Sequence, residues 1–203
     1  SNTGFAAYNY VETDASSTSE IVYRLLKMLG YSISKDSATA LLCGLITDTG
    51  FFKFNNVNHN TLKMASDIMS IGGDLFSISL HAYMERPIEK MHMLSRVFDR
   101  IKIINNIALS YIKETDFTEL DAKSEYTDGL VNEILYIKNI TGSILCIEDG
   151  PGVRISFRSK DGIDMNELAS HYGGGGHINA AGAYVKDDLM HVLEKLSEDI
   201  KGL

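Results

Sequence analysis

The stretch 171-HYGGGGHINAAGAYV-185 decides the reading of this chain. Four of its 17 glycines stand in a row, followed by a histidine and a run of small residues. Each glycine in a folded segment carries an ordering cost of roughly 0.5 to 1 kcal/mol relative to alanine, so something must approach the backbone closely enough to offset it. Two readings fit. Bare glycines let successive N–H groups turn inward as an anion-binding nest, with His177 placed to donate to a phosphate oxygen and Ala180, Ala181 and Gly182 leaving room for the ligand. Equally, the run is a helix stop followed by a tight crossing of packed elements, with His177 as a cap.

Working outward, a helix precedes the run from about Asp164 to Tyr172, and before it lies 152-GVRISFRS-159, a strand by its alternation. That alternation puts Arg154, Ser156 and Arg158 on one face and Val153, Ile155 and Phe157 on the other. An arginine fork with a hydroxyl grips phosphate or a base edge; a solvated outer face has the same pattern. Gly150, Pro151 and Gly152 turn this strand back onto 142-GSILCIED-149, and Asn105-Asn106 between two alternating runs is a hairpin signal. A helix over 127–140, a strand at 182-GAYV-185 and a C-terminal helix complete an α+β second part.

The first part is helical. Ser17 and Glu20 have capping-box spacing ahead of a face of Ile21, Val22, Leu25, Leu26 and Leu29. Ser34 caps a second helix with Ala38, Leu41, Leu42 and Leu45 on one side, failing near Thr47 to Gly50. A third runs over 58–71 with Leu62, Ala65, Ile68 and Met69 inward, and Pro87 opens a fourth that carries Ile88, Met91, Leu94, Val97 and Ile101 out of this region. Phe5, Tyr8 and Tyr10 read as core aromatics. Ser16, Ser17 and Ser19 read as capping residues, without a base to make a nucleophile. Asp48 lies at the negative end of the second helix, where a cation is favoured, although an Asx turn in Asp-Thr-Gly explains it as well. The six histidines show no H-x-H or H-x-x-x-H pairing.

Composition narrows the class. At 203 residues the chain buries a real core as one domain or two. No apolar run reaches the ~18 residues of a membrane helix, so no membrane partner is expected. Cys43 and Cys146 have no metal-type spacing, which with no leader-like N-terminus points to a cytoplasmic protein with reduced thiols. The net charge of −8 argues against tracking a long nucleic-acid duplex and leaves a small anionic ligand, gripped locally.

Together, "SSTSEIVYRLL", "GLITDTGFFKF" and "RISFRSKDGIDMNELASHYGGGGHINAAG" resemble, in order and spacing, the DHH phosphoesterases that carry the DHH-associated C-terminal domain, in the branch of bifunctional oligoribonucleases and 3′-phosphoadenosine 5′-phosphate phosphatases. The resemblance implies an α/β fold: the helix-rich remainder of a parallel-sheet catalytic domain over 1–85, a linker helix over 86–100 and a smaller α+β substrate-binding domain over 101–203. It implies a two-Mn²⁺ phosphodiesterase or phosphatase acting on short RNA or a nucleotide, with Asp48 as a metal ligand. By the same resemblance Arg158, Ser159, Gly174, Gly175, Gly176 and His177 hold the substrate, and His177 is the catalytic candidate. Two cations would there generate hydroxide and neutralise phosphoryl charge. The Asp-x-Asp element and Asp-His-His triplet of that family are absent from the 203 residues, so the chain reads as the portion after the triplet, with an incomplete metal centre. Apolar surface left by missing strands suggests a homodimer. A cyclic-dinucleotide or single-strand DNA phosphodiesterase, a nucleotide-binding module without turnover, and an accessory domain like the C-terminal part of alanyl-tRNA synthetase are the rival expectations.

Overall fold

The computed structural model describes residues 4, 6–160 and 162–202, and the chain divides into two compact units, Ser1–Glu85 and Arg86–Leu203.

In the first unit, short polar side chains start the helices. Ser17 caps α1 (Thr18–Met28), Ser34 caps α2 (Lys35–Asp48), Asn58 caps α3 (His59–Ile71) and Asp74 caps α4 (Leu75–Ser79), each accepting from an orphan N–H of the first turn. A π-helical turn, Leu80–Met84, follows. Among the described residues this unit contains no strand. Its core gathers Tyr23, Ala38, Leu42, Leu45, Ile46, Met64, Ala65, Ile68 and Ile78.

Several expectations are corrected here. The α1 cap is half a capping box: Ser17 Oγ accepts from Glu20 N, but the Glu20 carboxylate turns to Ser16, accepting from its N at 2.9 Å and its Oγ at 2.6 Å. Glu20 is thereby buried beside Tyr23, and the stripe Val22, Leu25 and Leu29 faces outward. Ser16 fixes this rotation, because its N–H and hydroxyl both donate to one oxygen of the Glu20 carboxylate, and a carboxylate with donors can be buried where an unpartnered one cannot. In α3 the same kind of turn buries Thr61 and Met64 and leaves Leu62 and Met69 about half exposed. Tyr8 and Tyr10 are exposed rather than core; Phe5 lies outside the described residues.

The second unit opens with α5 (Ile88–Asp99), capped by Pro87, whose Met93 and Val97 are fully buried. The expected linker helix is thus packed into this unit's own core. Then come β1 (Lys102–Ile104), β2 (Ile107–Ile112), α6 (Glu114–Glu119), a 3₁₀ turn (Ser124–Thr127) and α7 (Leu130–Leu135). The helix read over 127–140 is therefore much shorter, because Gly129 takes φ +82 and Asn139 φ +66, conformations a helix interior excludes. The chain continues through β3 (Gly142–Asp149), β4 (Gly152–Ser159), α8 (Met165–Ser170), β5 (Gly175–His177), β6 (Ala180–Val185) and α9 (Leu189–Lys201).

The strands form one mixed sheet in the order β1-β2-β3-β4-β6-β5. Among the described residues only β2 and β3 pair in parallel, their crossover carrying α6 and α7. Asn105 and Asn106 both take left-handed φ, 46° and 62°, in the β1–β2 turn, as a two-residue hairpin of primed type requires. One sheet face carries Ile144, Cys146, Ile155, Phe157, Ala181 and Ala183 against α8 and α9. The other carries Ala108, Ile112, Leu145 and Ile147 against α5 and α7. Arg100, at the end of α5, forks onto Asp116 of α6, with Nη2 to Oδ1 at 2.8 Å, and lies 4.8 Å from the centre of the Tyr111 ring.

Candidate functional site

On the second sheet face, β5 and much of β6 are exposed while β4 is half-buried with α7 packed over part of it, and the ladder register defines what the face presents. Directly paired residues on neighbouring strands point to the same side. Arg158 pairs with Ala180 and Ala180 with His177, giving one row. Ser156 pairs with Gly182 and Gly182 with Gly175, giving the next, and Arg154 pairs with Tyr184 in the third. The middle row carries one hydroxymethyl group and two bare glycines. It forms a trough floor between two polar rims, Arg158 with His177 on one side and Arg154 with Tyr184 on the other. Strands stand about 4.8 Å apart and side chains on one face about 6.6 Å apart along a strand, so this floor accepts a flat group or an extended chain.

Arg158 is half-buried, and burial lowers its pKa below the usual arginine value. Its Nη1 donates to the carbonyls of Phe157 at 2.8 Å and Ala181 at 3.4 Å, and among the described residues it has no carboxylate partner. Arginine stays protonated in such surroundings, so the rim holds a partly desolvated positive charge without a counter-ion. His177 is exposed on the edge strand, and its ring forms no hydrogen bond or ion pair with the described residues.

Ser159 sits differently. Its side chain is buried, its hydroxyl lies 3.0 Å from the Ile163 carbonyl and 3.1 Å from Asn179 Oδ1, and its N–H donates to the Asn179 carbonyl. It braces the turn that follows His177 instead of joining the row.

The glycine run is a crossing. Gly173, at φ +71, ends α8 in a Schellman arrangement: its N–H reaches the Ser170 carbonyl and that of Gly174 the Ala169 carbonyl. A β-carbon on Gly174 would stand 2.1 Å from the Gly182 carbonyl oxygen, and one on Gly176 2.4 Å from that of Ala180. These two glycines let β5 lie against β6. Gly175 meets only Asn166 Oδ1, at 3.5 Å. The inward-turned nest is not formed, because the Gly173, Gly174 and Gly176 N–H groups already have acceptors, the last being Asn166 Oδ1 at 2.8 Å. Gly174 and Gly176 thus build the site, and Gly175 alone of the three belongs to its floor. Asn166 and Tyr184 were not legible as site residues, since each reaches the region only through pairing with distant segments.

Asp48 is the exposed last residue of α2. Among the described residues no group of three or more His, Cys, Asp or Glu side chains is arranged to hold a metal. A two-Mn²⁺ centre therefore does not fit these residues: one carboxylate cannot complete the shell of even one such ion. No described helix is long and apolar enough to cross a membrane.

Residues 104–202 match the DHHA1 domain. Along 98% of its length the chain is 27% identical to the bifunctional oligoribonuclease and PAP phosphatase NrnA of Thermus thermophilus, and along 92% it is 29% identical to NrnA of Bacillus subtilis. It spans 61% of the length of each. The crystal structure of an exopolyphosphatase-related protein from Bacteroides fragilis superposes with a TM-score of 0.93 at 29% identity, covering 98% of this chain and 60% of that one. The second unit thus matches the DHHA1 domain over most of its length, and the whole chain is similar to the NrnA proteins.

Proposed function

We propose that this chain provides the substrate grip of a metal-dependent DHH-type phosphoesterase that hydrolyses short oligoribonucleotides, 3′-phosphoadenosine 5′-phosphate, or both. The observation that carries the reading is Arg158, a half-buried cation without a carboxylate partner among the described residues, in one row with the exposed His177 beside a side-chain-poor floor. The activities named for the two NrnA relatives support the substrate class. So does the net charge of −8, which suits a ligand of a few nucleotides held locally better than a long polymer.

In this reading the Arg158 fork binds two oxygens of one phosphate, and the His177 ring donates to a third. Ser156, Gly182 and Gly175 let the sugar and base lie flat on the sheet. His177 would deliver its proton to the leaving oxygen if it acts as general acid. Asp48 would supply one carboxylate toward Mn²⁺, a shell that the described residues do not complete. We infer a cytoplasmic homodimer, for which the outward stripe Val22, Leu25 and Leu29 offers apolar surface.

The test is to incubate the chain with a 5′-phosphorylated diribonucleotide and with 3′-phosphoadenosine 5′-phosphate, with and without Mn²⁺, measuring binding and product together. Binding without product is the expected result for this chain alone. Absence of binding to either compound would overturn the reading.

A further inference from the structure

His177 stands on the least supported strand of the sheet. β5 is three residues long, two of them glycine, all three are exposed, and its one strand partner among the described residues is β6. Such a strand has almost no side-chain packing to fix the histidine it carries, and its outward backbone groups would be left to water. Helix α8 supplies the support. Gly176, one residue before His177, donates its N–H to Asn166 Oδ1 at 2.8 Å, and Ile178, one residue after, accepts from the Met165 N–H at 2.8 Å. Residues two apart on a strand turn the same backbone edge outward, so these two bonds pin β5 on either side of His177.

Asn166 is itself held in place. Its own N–H, with that of Glu167, donates to the Asp164 cap of α8, at 2.9 Å and 3.0 Å. A β-carbon on Gly175 would stand 3.5 Å from Asn166 Oδ1, so the amide group lies beside the β5 end of the floor row. Of the two ends of an amide side chain only the oxygen accepts, and the Gly176 N–H therefore fixes which way the Asn166 amide faces. An aliphatic side chain at this position would strand the Gly176 N–H, whereas a carboxylate would keep its acceptor.

Resting on the phosphate grip proposed above, we propose that Asn166 is a positioning residue of that grip, acting through the Gly176 N–H to set the place of the His177 ring. The probe is a 5′-phosphorylated diribonucleotide, titrated by calorimetry into the wild-type chain, Asn166→Leu, Asn166→Asp, His177→Ala and the double variant Asn166→Leu/His177→Ala. Asn166→Leu and His177→Ala each weaken binding by about tenfold, the effect of one hydrogen bond to a charged group. The double variant binds no more weakly than His177→Ala. A substitution that merely loosens the fold weakens binding equally in both backgrounds, so this non-additivity reads positioning. Asn166→Asp restores the slow hydrogen exchange of the Gly176 amide that Asn166→Leu loses, and with it part of the affinity. Losses that add in the double variant, or Asn166→Leu binding like the wild type, overturn the role of Asn166 and leave the grip standing. His177→Ala binding like the wild type overturns that role together with the place of His177 in the grip. Absence of binding to the wild-type chain overturns the whole reading.

Discussion

Arg158 and His177 each pair with Ala180, from opposite sides, so an arginine and a histidine 19 residues apart in sequence share one row of one sheet face. The strand that carries His177 reaches this row only because Gly174 and Gly176 let it lie against β6. The glycine crossing and the proposed phosphate grip are therefore one construction, and variants separate its parts.

Arg158→Ala is expected to weaken a 5′-phosphorylated diribonucleotide by about tenfold or more, since a charge-assisted fork to phosphate is among the stronger hydrogen-bonding arrangements. Thermal stability should change little, because its partners in the structure are two backbone carbonyls already engaged near the sheet. Arg158→Lys should recover only part of the affinity, as a point charge lacks the planar fork. Calorimetry and a melting curve on the same samples check both statements.

Gly174→Ala and Gly176→Ala are expected to destabilise the second unit by about 2 kcal/mol or more, the range for forced overlap with backbone. The added β-carbons would stand 2.1 Å and 2.4 Å from carbonyl oxygens of β6. Gly175→Ala, whose nearest neighbour is 3.5 Å away, should melt close to the wild type. Equal melting of all three variants would contradict the crossing.

The secondary structure followed from local chemistry wherever one residue dominates an end: Ser34 capping α2, Asn105-Asn106 turning β1 into β2, Asp164 opening α8. It failed where a distant partner decides. The rotation of α1 depends on Ser16 holding the buried Glu20 carboxylate, so its apolar stripe pointed the wrong way in the sequence. The run 173–176 concealed a short strand, because β5 exists only by pairing with β6. The face shared by Arg154, Ser156 and Arg158 was legible from alternation. Its continuation through Gly182 and Tyr184 required the register.

Acid should loosen the second unit through Asp116. Burial pushes the Asp116 carboxyl up, but hydrogen bonds from Arg100 and from the Lys113 N–H outweigh this and hold its pKa below the ordinary 3.8. A depressed folded value means the stabilisation is fully present above pH 3.8 and is lost as pH falls through the folded pKa. Asp116→Asn should cost about 2 kcal/mol near neutrality, since it strands Arg100, and should flatten the stability profile below that pH. Chemical denaturation at a series of pH values reads this directly.

Asp48→Asn should leave nucleotide affinity unchanged within about twofold, because the grip is built from the second unit. The exposed carboxylate at the negative end of α2 also makes the substitution neutral or stabilising by roughly a few tenths of a kcal/mol. A large loss of binding would place Asp48 in direct contact with substrate.

The most direct measurement is the amide chemical-shift response of the ¹⁵N-labelled chain to a 5′-phosphorylated diribonucleotide. The predicted result is saturable shifts at Arg158, Gly175, His177, Ala180 and Gly182, absent in Arg158→Ala. Shifts confined to the first unit, or a response in Arg158→Ala identical to that of the wild type, would contradict the account.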